Sequence, residues 1–542
     1  MEAHRLRAPA RDGAMLSEPT LDQVPGVVSR NRASLLSWDH DFQGRGADAL
    51  RRAAREDVLR LARAHHERFG LGLPKQDLSG DDTVPWIVTG HQPELYHPGV
   101  WAKNFAVAGL ARRFGGLGVN FVVDNDVPHA PSVRVPVPSG DGALRWKLIE
   151  FDTWPGESPY EDWAVRDEAC FASFPDRLRE ALGPSAAGAV INEFWPLVTR
   201  SSKVTDRVGL RFSTARHALE EEWGVANFEV PLSQVCRSDA FLWYLCHVLA
   251  HAGRFRSVHN AALADYRKRY GVRSTHHPVP ALAERDGWCE VPFWAWREGE
   301  PRRRPLLVRS RGTVLDVKLH GEGPLLAADL PLGPDREACC AVERLRELAA
   351  TGVRLRTRAL TTTMYARLMF GDLFVHGIGG AKYDELGDAI VREFFGLEPP
   401  GYLALSLTAW PGLPVMPATG ERMRAVASEL RDLEFNPQRH LDIGSVKPET
   451  SAAVEARASA VAMPQSTRRE RIARFRAIRE ATAAIRPNVA ERERHLREEA
   501  DRIEEGLAWN RLAQARDVSF VAHQTTRLRS ILTEVGGLAE GP

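Results

Sequence analysis

With 542 residues the chain is too long for one hydrophobic core, so several domains or large inserts are expected. Hydrophobic residues make up 44% and charged residues 26%, the composition of a soluble globular protein, and a formal net charge of +1 removes any bulk electrostatic case for nucleic acid or an anionic membrane. No apolar span reaches twenty residues and Met1–Met15 lacks the apolar core of a signal peptide, so the expected location is the cytoplasm.

Six cysteines are scattered without CxxC spacing, which indicates neither a disulfide framework nor a zinc knuckle. Only eight of the 72 basic residues are lysine. Two of those eight, Lys103 and Lys382, fall within a turn of a glycine-bearing strand-to-helix loop, where a compact ammonium can meet a phosphate as a point charge.

Residues 1–80 read as an N-terminal helical segment. Within it Ala47–Phe69 sets Leu50, Val58, Leu61, Ala62 and His65 among charges and closes at Gly70 and Pro74. It is expected on the outside of a sheet.

A parallel-sheet core is expected from residues 81–138 and 345–420. The stretch Asp82 to Asn104 reads as a buried strand (Trp86 to Thr89), a turn opened by Gly90, and a helix introduced by Pro98 and Gly99. Stepping a hundred degrees per residue, Val100, Val107, Leu110, Ala111 and Phe114 share an arc facing the sheet, with Lys103 and Asn104 on its flanks. That position aims both at the crevice beyond the strand ends. The alternative for Lys103 is a stem along apolar surface with its ammonium in water.

A second strand, Val119 to Val123, ends in Asp124-Asn125-Asp126 and is followed by His129. Asp124, Asp126 and His129 are expected to converge with His91 and His97, a set able to hold a divalent cation through nitrogen and oxygen. Against this, Asp and Asn are ordinary turn and N-cap residues, and none of the spacings is a recognised ligand pattern.

Residues 139–344 read as an insert, helical at first and then antiparallel strands from Cys289 to Leu319. Arg302, Arg303, Arg304, Arg309 and Arg311 make a basic strip there, expected as a solvated face. The histidines at 251, 259, 276 and 277 carry no pattern.

The second informative block is Leu355 to Tyr365 followed by Asp372 to Glu385. A strand, Leu373 to His376, runs into Gly377-Ile378-Gly379-Gly380 and a helix. Glycines there permit unusual dihedrals and let a ligand approach main-chain N–H groups at a helix start. Tight packing of helix on strand needs glycine too. Beyond a Pro-rich connector, residues 421–542 form a C-terminal helical region. Leu496, Ala500, Ile503 and Leu507 follow 4-3-4 spacing, with Pro487-Asn488 as the break in an antiparallel hairpin. Dimerisation through these helices is expected.

Together Val88-Thr89-Gly90-His91-Gln92, Asp124-Asn125-Asp126, Thr357-Arg358-Ala359-Leu360 and Phe374 to Gly380 resemble the bacillithiol-biosynthesis cysteine-adding enzyme family. The resemblance implies an α/β fold: a Rossmann-like parallel-sheet core related to class I synthetases and nucleotidyltransferases, connecting inserts, and a C-terminal coiled coil that makes a homodimer. It implies a ligase that joins cysteine to glucosaminyl-malate.

The residues themselves suggest an enzyme that holds a nucleotide or another anionic small molecule between two glycine loops. Gly90, Gln92, Asn104, Asn125, His129, His376, Gly377, Gly379 and Gly380 would line that site, and Lys103, Arg358 and a catalytic Lys382 would neutralise charge that develops in the transition state. His91 or His97 would act as general acid or base, and an Asp124/Asp126 pair would orient an amine or hold Mg²⁺. Other readings stand beside it: a metal-assisted hydrolase using His91, His97, Asp124, Asp126, His129 and His376, a nucleotidyltransferase-like enzyme, and a non-catalytic scaffold assembled through the helices.

Overall fold

A computed structural model describes residues 6–74, 84–321, 323–442, 444 and 446–541. Asp82 and Thr83, at the start of the first glycine-loop block, and Met1 to Arg5 lie outside them. The chain divides into two compact units, one of residues 1–135, 147–411 and 516–542, the other of residues 136–146 and 412–515.

The first unit is built on a six-stranded sheet. Its strands are β1 (Met15–Glu18), β2 (Trp86–His91), β3 (Leu117–Val122), β4 (Phe228–Pro231), β5 (Leu373–His376) and β6 (Tyr402–Leu407), in spatial order β1-β6-β5-β2-β3-β4. All pairs are parallel except β1 with β6. Counted in chain order from β2, the five parallel strands lie 3-2-1-4-5. The core is thus mixed α/β. Strands such as Ile87-Val88, Val119 and Leu403 are buried on both faces, as parallel strands covered by helices must be.

Three expectations about the chain's division change here. β4 comes from the middle of the supposed insert, and β1 from the supposed helical N-terminus. Residues Val353–Thr357, expected in the parallel core, are the edge strand of a second, antiparallel sheet. In that sheet Val353–Thr357 pairs with Trp288–Arg297, which pairs in turn with Glu300–Ser310. Leu315–Leu319 and Leu325–Leu330 follow, and the two-residue Glu284–Arg285 pairs with Trp288–Arg297. No helix among the described residues is long and apolar enough to cross a membrane.

Helix α1 (Ala47–Phe69) packs against β4. Helix α2 (Pro98–Arg113) follows β2 and departs from its predicted wheel, because nearly every residue from Pro98 to Ala111 is buried. The sheet covers one side and a C-terminal helix, α6 (Thr525–Glu540), covers the other. The contact is close: a Cβ built on Gly109 would lie 2.2 Å from the Gly536 carbonyl oxygen. Helix α3 (Val208–Glu222) bonds to α2 through Glu220, and α4 (Ala359–Met369), α5 (Ile378–Ile390) and the helix Ala252–Tyr270 reach the site.

In the second unit the expected hairpin is replaced. Helix Ala490–Ala513 packs on Gly420–Phe435, and Arg468–Ile485 packs on Pro448–Val461. Leu496, Ala500, Ile503 and Leu507 meet Met423, Val426, Leu430 and Leu433, which carry a matching 3-4-3 spacing. The seam expected to carry dimerisation is filled by the chain itself. The last helix, α6, belongs to the first unit, so the expected 421–542 region ends at 515.

Gly109→Ala should cost about 1–3 kcal/mol in urea unfolding, since the added methyl meets backbone that cannot swing aside. A change near zero would show that the two helices are free to separate.

Candidate active site

The order 3-2-1-4-5 reverses direction between β2 and β5. Right-handed connections leaving these neighbours diverge to opposite faces, and a crevice opens at their carboxyl ends. A cleft of about 500 Å³ occupies that place. Gly90, His91 and Gln92 line it from β2, His376, Gly377 and Gly380 from β5, and Asn125 and Asp126 from the end of β3. Lys103 and Arg358 line it as well. The two glycine loops, almost three hundred positions apart in the chain, share one cleft.

Lys103 lies on α2, 6% exposed, and its Nζ donates to the Gly90 carbonyl at 3.2 Å. No carboxylate is paired with it among the described residues. Burial alone pushes its ammonium down to about 8. Asn125 is also buried; its Nδ2 donates to the Thr357 carbonyl at 2.9 Å, while its Oδ1 has no hydrogen-bond partner.

His376 lines the cleft with its ring held by a carboxylate. Its Nε2 meets Asp384 Oδ2 at 2.6 Å. Asp384 is held in turn by Arg367 at 2.8 Å and by the Thr363 hydroxyl at 2.6 Å. Burial works against the Asp384 carboxylate, but His376 and Arg367 hold it well below the usual range. With Nε2–H donating to Asp384, the imidazole turns the lone pair of Nδ1 away from the pair, as in a histidine oriented for proton transfer. Gly380 makes room for it: a Cβ there would fall 2.7 Å from Nδ1. None of Gly90, Gly377, Gly379 and Gly380 has a positive φ, so the expected unusual dihedrals are absent and close approach is the reason for glycine at 380. Gly377 is the N-cap of α5, whose first N–H groups start beside the cleft.

The opposite wall comes from the antiparallel sheet. Arg358 lies over the Trp294 ring at 4.2 Å and Arg303 at 5.2 Å. Each is matched to a carboxylate, Arg358 to Glu290 at 2.7 Å and Arg303 to Asp126 at 2.8 Å. Arg303 thus leaves the solvated strip in which the sequence set it.

Several predicted site residues lie elsewhere or act otherwise. His91 lines the cleft, yet its Nε2 is bonded to Asn104 Oδ1 at 3.1 Å and its Nδ1 lies 3.2 Å from the Gln92 carbonyl. Burial, with Lys103 and Arg216 nearby, pushes it down to about 3, so it stays neutral and is no general acid at physiological pH. His97 caps α2, its Nδ1 accepting from Gly99 N at 3.1 Å, and does not line the cleft. Burial and Arg516 push it down to about 4.

Asp124 is buried against Ser233, accepting from its N at 2.8 Å and from its hydroxyl at 2.5 Å. Burial and the charge of Glu161 push it up to about 7. It caps the turn after β4. Asp126 has both oxygens occupied, by Arg303 and Val127 N on one and by Gln92 Nε2 at 2.9 Å on the other. The expected Asp124/Asp126 seat for Mg²⁺ therefore does not form. Asn104 is wholly buried behind the cleft, His129 is exposed beside Glu94, Lys382 is exposed, and Gly379 does not line the cleft. The His/Asp set expected for a metal-assisted hydrolase is thereby dispersed.

Sequence reasoning passed over Arg303, Trp294 and His259, all of which line the cleft. It also missed Asp384, whose position eight residues after His376, two turns into a helix, was the available signal.

No protein-family model matches the chain, and no curated protein matches it in sequence.

The buried ammonium of Lys103 has a stability signature. Its ordinary value is 10.5 and its folded value about 8, so between those pH values the unfolded chain holds a proton the folded chain has released. Stability should rise from pH 8 toward 10.5, and at pH 7 the buried charge costs up to about 3 kcal/mol. Lys103→Met should raise the unfolding free energy at pH 7 by about 1–3 kcal/mol and flatten that rise, measured by urea unfolding across the pH range.

Proposed function

We propose that the cleft binds an anionic small molecule and catalyses a group transfer in which His376 moves the proton, as in carbon–nitrogen bond formation by a ligase. The observation that carries the proposal is the pairing of an unneutralised buried Lys103 with the Asp384-oriented His376 in one cleft. Buried cations are normally matched by carboxylates. A cation left unmatched beside open volume is a place for a ligand's phosphate or carboxylate.

In this reading Lys103 and the α5 N–H groups hold the anion, in a setting where low dielectric strengthens the attraction. Asn125 Oδ1 accepts a hydrogen bond from the ligand, and Nδ1 of His376 takes the proton from an amine attacking an acyl phosphate. The C–N bond forms as the acyl carbon–oxygen bond breaks and the phosphate leaves with its electron pair. Arg358 and Arg303 keep Trp294 as a flat wall. The 3-2-1-4-5 strand order supports a Rossmann-like reading of the core, and with the sequence resemblance it favours a cysteine-adding type of ligase, nucleotide being one candidate for the anion. Cysteine and glucosaminyl-malate are the substrates to test first.

A thermal-shift screen with nucleotides, amino acids and sugar–malate conjugates, each with and without Mg²⁺, should give stabilisation by at least one anionic ligand. Lys103→Met should weaken that ligand about 10–100-fold, the loss of one charge-assisted contact. His376→Gln should leave binding within a few-fold and remove turnover. A ligand bound equally well by the parent and Lys103→Met would place the anion elsewhere and end the proposal.

A further inference from the structure

Behind the cleft, α2, α3 and β4 enclose charged side chains that the proposed function leaves unused. Glu220 and His217 on α3 and Glu229 on β4 are wholly buried. Each carboxylate is loaded on one oxygen only. Glu220 Oε1 accepts from Trp101 Nε1 at 2.5 Å, from Asn104 Nδ2 at 2.7 Å and from Arg216 at 2.7 Å. Glu229 Oε1 accepts from Asn120 Nδ2 at 2.6 Å and from Arg216. The Oε2 atoms of both have neither solvent nor a hydrogen-bond donor. Leaving one buried carboxylate oxygen bare is costly, and here two are bare.

A nitrogen of His217 and an oxygen from each glutamate all lie within 4.8 Å of one another. Nδ1 of the ring lies 3.8 Å from Glu229 Oε1 and Nε2 lies 3.2 Å from Glu221 Oε1, and neither ring nitrogen makes a hydrogen bond among the described residues. A ring nitrogen turned inward with the other beside a carboxylate is the arrangement that orients histidine on a metal, and ligating carboxylates are commonly held through their second oxygen. Trp101, Asn104, Asn120 and Arg216 fill that second role.

We propose that His217, Glu220 and Glu229 bind a divalent transition cation of the zinc class, as a structural site joining α3 to β4. At about 2.0–2.2 Å per bond, tetrahedral ligand atoms stand about 3.3–3.6 Å apart, so atoms within 4.8 Å of one another draw together by up to about 1.5 Å as the ion enters. The site is independent of what the cleft binds.

Protein produced in medium supplied with Zn²⁺ or Co²⁺ should carry about one equivalent of the metal by elemental analysis, and the Co²⁺ form should show visible d–d absorption. His217→Gln should lose the metal. Where that variant fails to fold, Glu221→Gln, which touches the ring and not the ion, should stay folded and bind Co²⁺ about 10–100-fold more weakly. Folded parent protein carrying only trace divalent metal, with a Tm indifferent to chelator and to added Zn²⁺, would overturn the proposal and assign the bare oxygens to ordered water.

Discussion

The carboxylate of Asp372 sets the register on which the cleft depends. It sits one residue before β5, buried, and accepts from the backbone N–H of Trp86 at 2.8 Å and from Arg55 at 2.7 Å, with Arg51 3.6 Å away. Its own N–H donates to the Trp86 carbonyl at 2.9 Å. The β2–β5 ladder itself is short, pairing Leu373 with Ile87 and Phe374 with Val88. A ladder of that length specifies register weakly, and a slip of one residue would turn every side chain of the strand to the other face. Asp372 removes that freedom and brings α1 in through Arg55, whose guanidinium also lies over the Trp86 ring at 5.2 Å. His376 reaches the cleft because the strand carrying it starts from a fixed point.

Charge in the cleft is arranged by subtraction. Three long cationic side chains line it, and two are cancelled in place, Arg303 by Asp126 and Arg358 by Glu290. What is left over is Lys103. The apolar residues around it, among them Val100, Phe121 and Phe374, keep water out and depress its proton affinity, which is the same effect as making its field strong for an incoming anion. The cost falls on folding stability, and a ligand returns it on binding.

The glycine loops and the strands leading to them were legible because a buried parallel strand followed by glycine and a helix start has a local signature. The partners of those loops were not. Asp124 and Asp126 are the same residue type two positions apart, yet one caps the turn after β4 and the other faces the cleft, a difference set by Ser233 and Arg303, each more than a hundred residues away. Periodicity likewise identified the 4-3-4 seam of Leu496 to Leu507 correctly as a helix-packing stripe. It could not say that the complementary stripe begins at Met423 of the same chain. β1 and β4 escaped notice because four residues carry too little alternation to stand out and, unlike the equally short β5, neither runs into a glycine-rich turn and a helix start.

The pocket and the charged network behind it meet at one dipeptide. Lys103 and Asn104 are neighbours on α2, so their side chains leave the helix about a hundred degrees apart, one into the cleft and the other away from it. Asn104 is tied on every side: Oδ1 to His91, Nδ2 to Glu220, and its carbonyl to Asn227 Nδ2 at 2.9 Å. Those bonds fix the rotation of α2 about its own axis. Fixing that rotation fixes where Lys103 emerges, and it also engages His91, which explains why a histidine in the first glycine loop is spent on positioning.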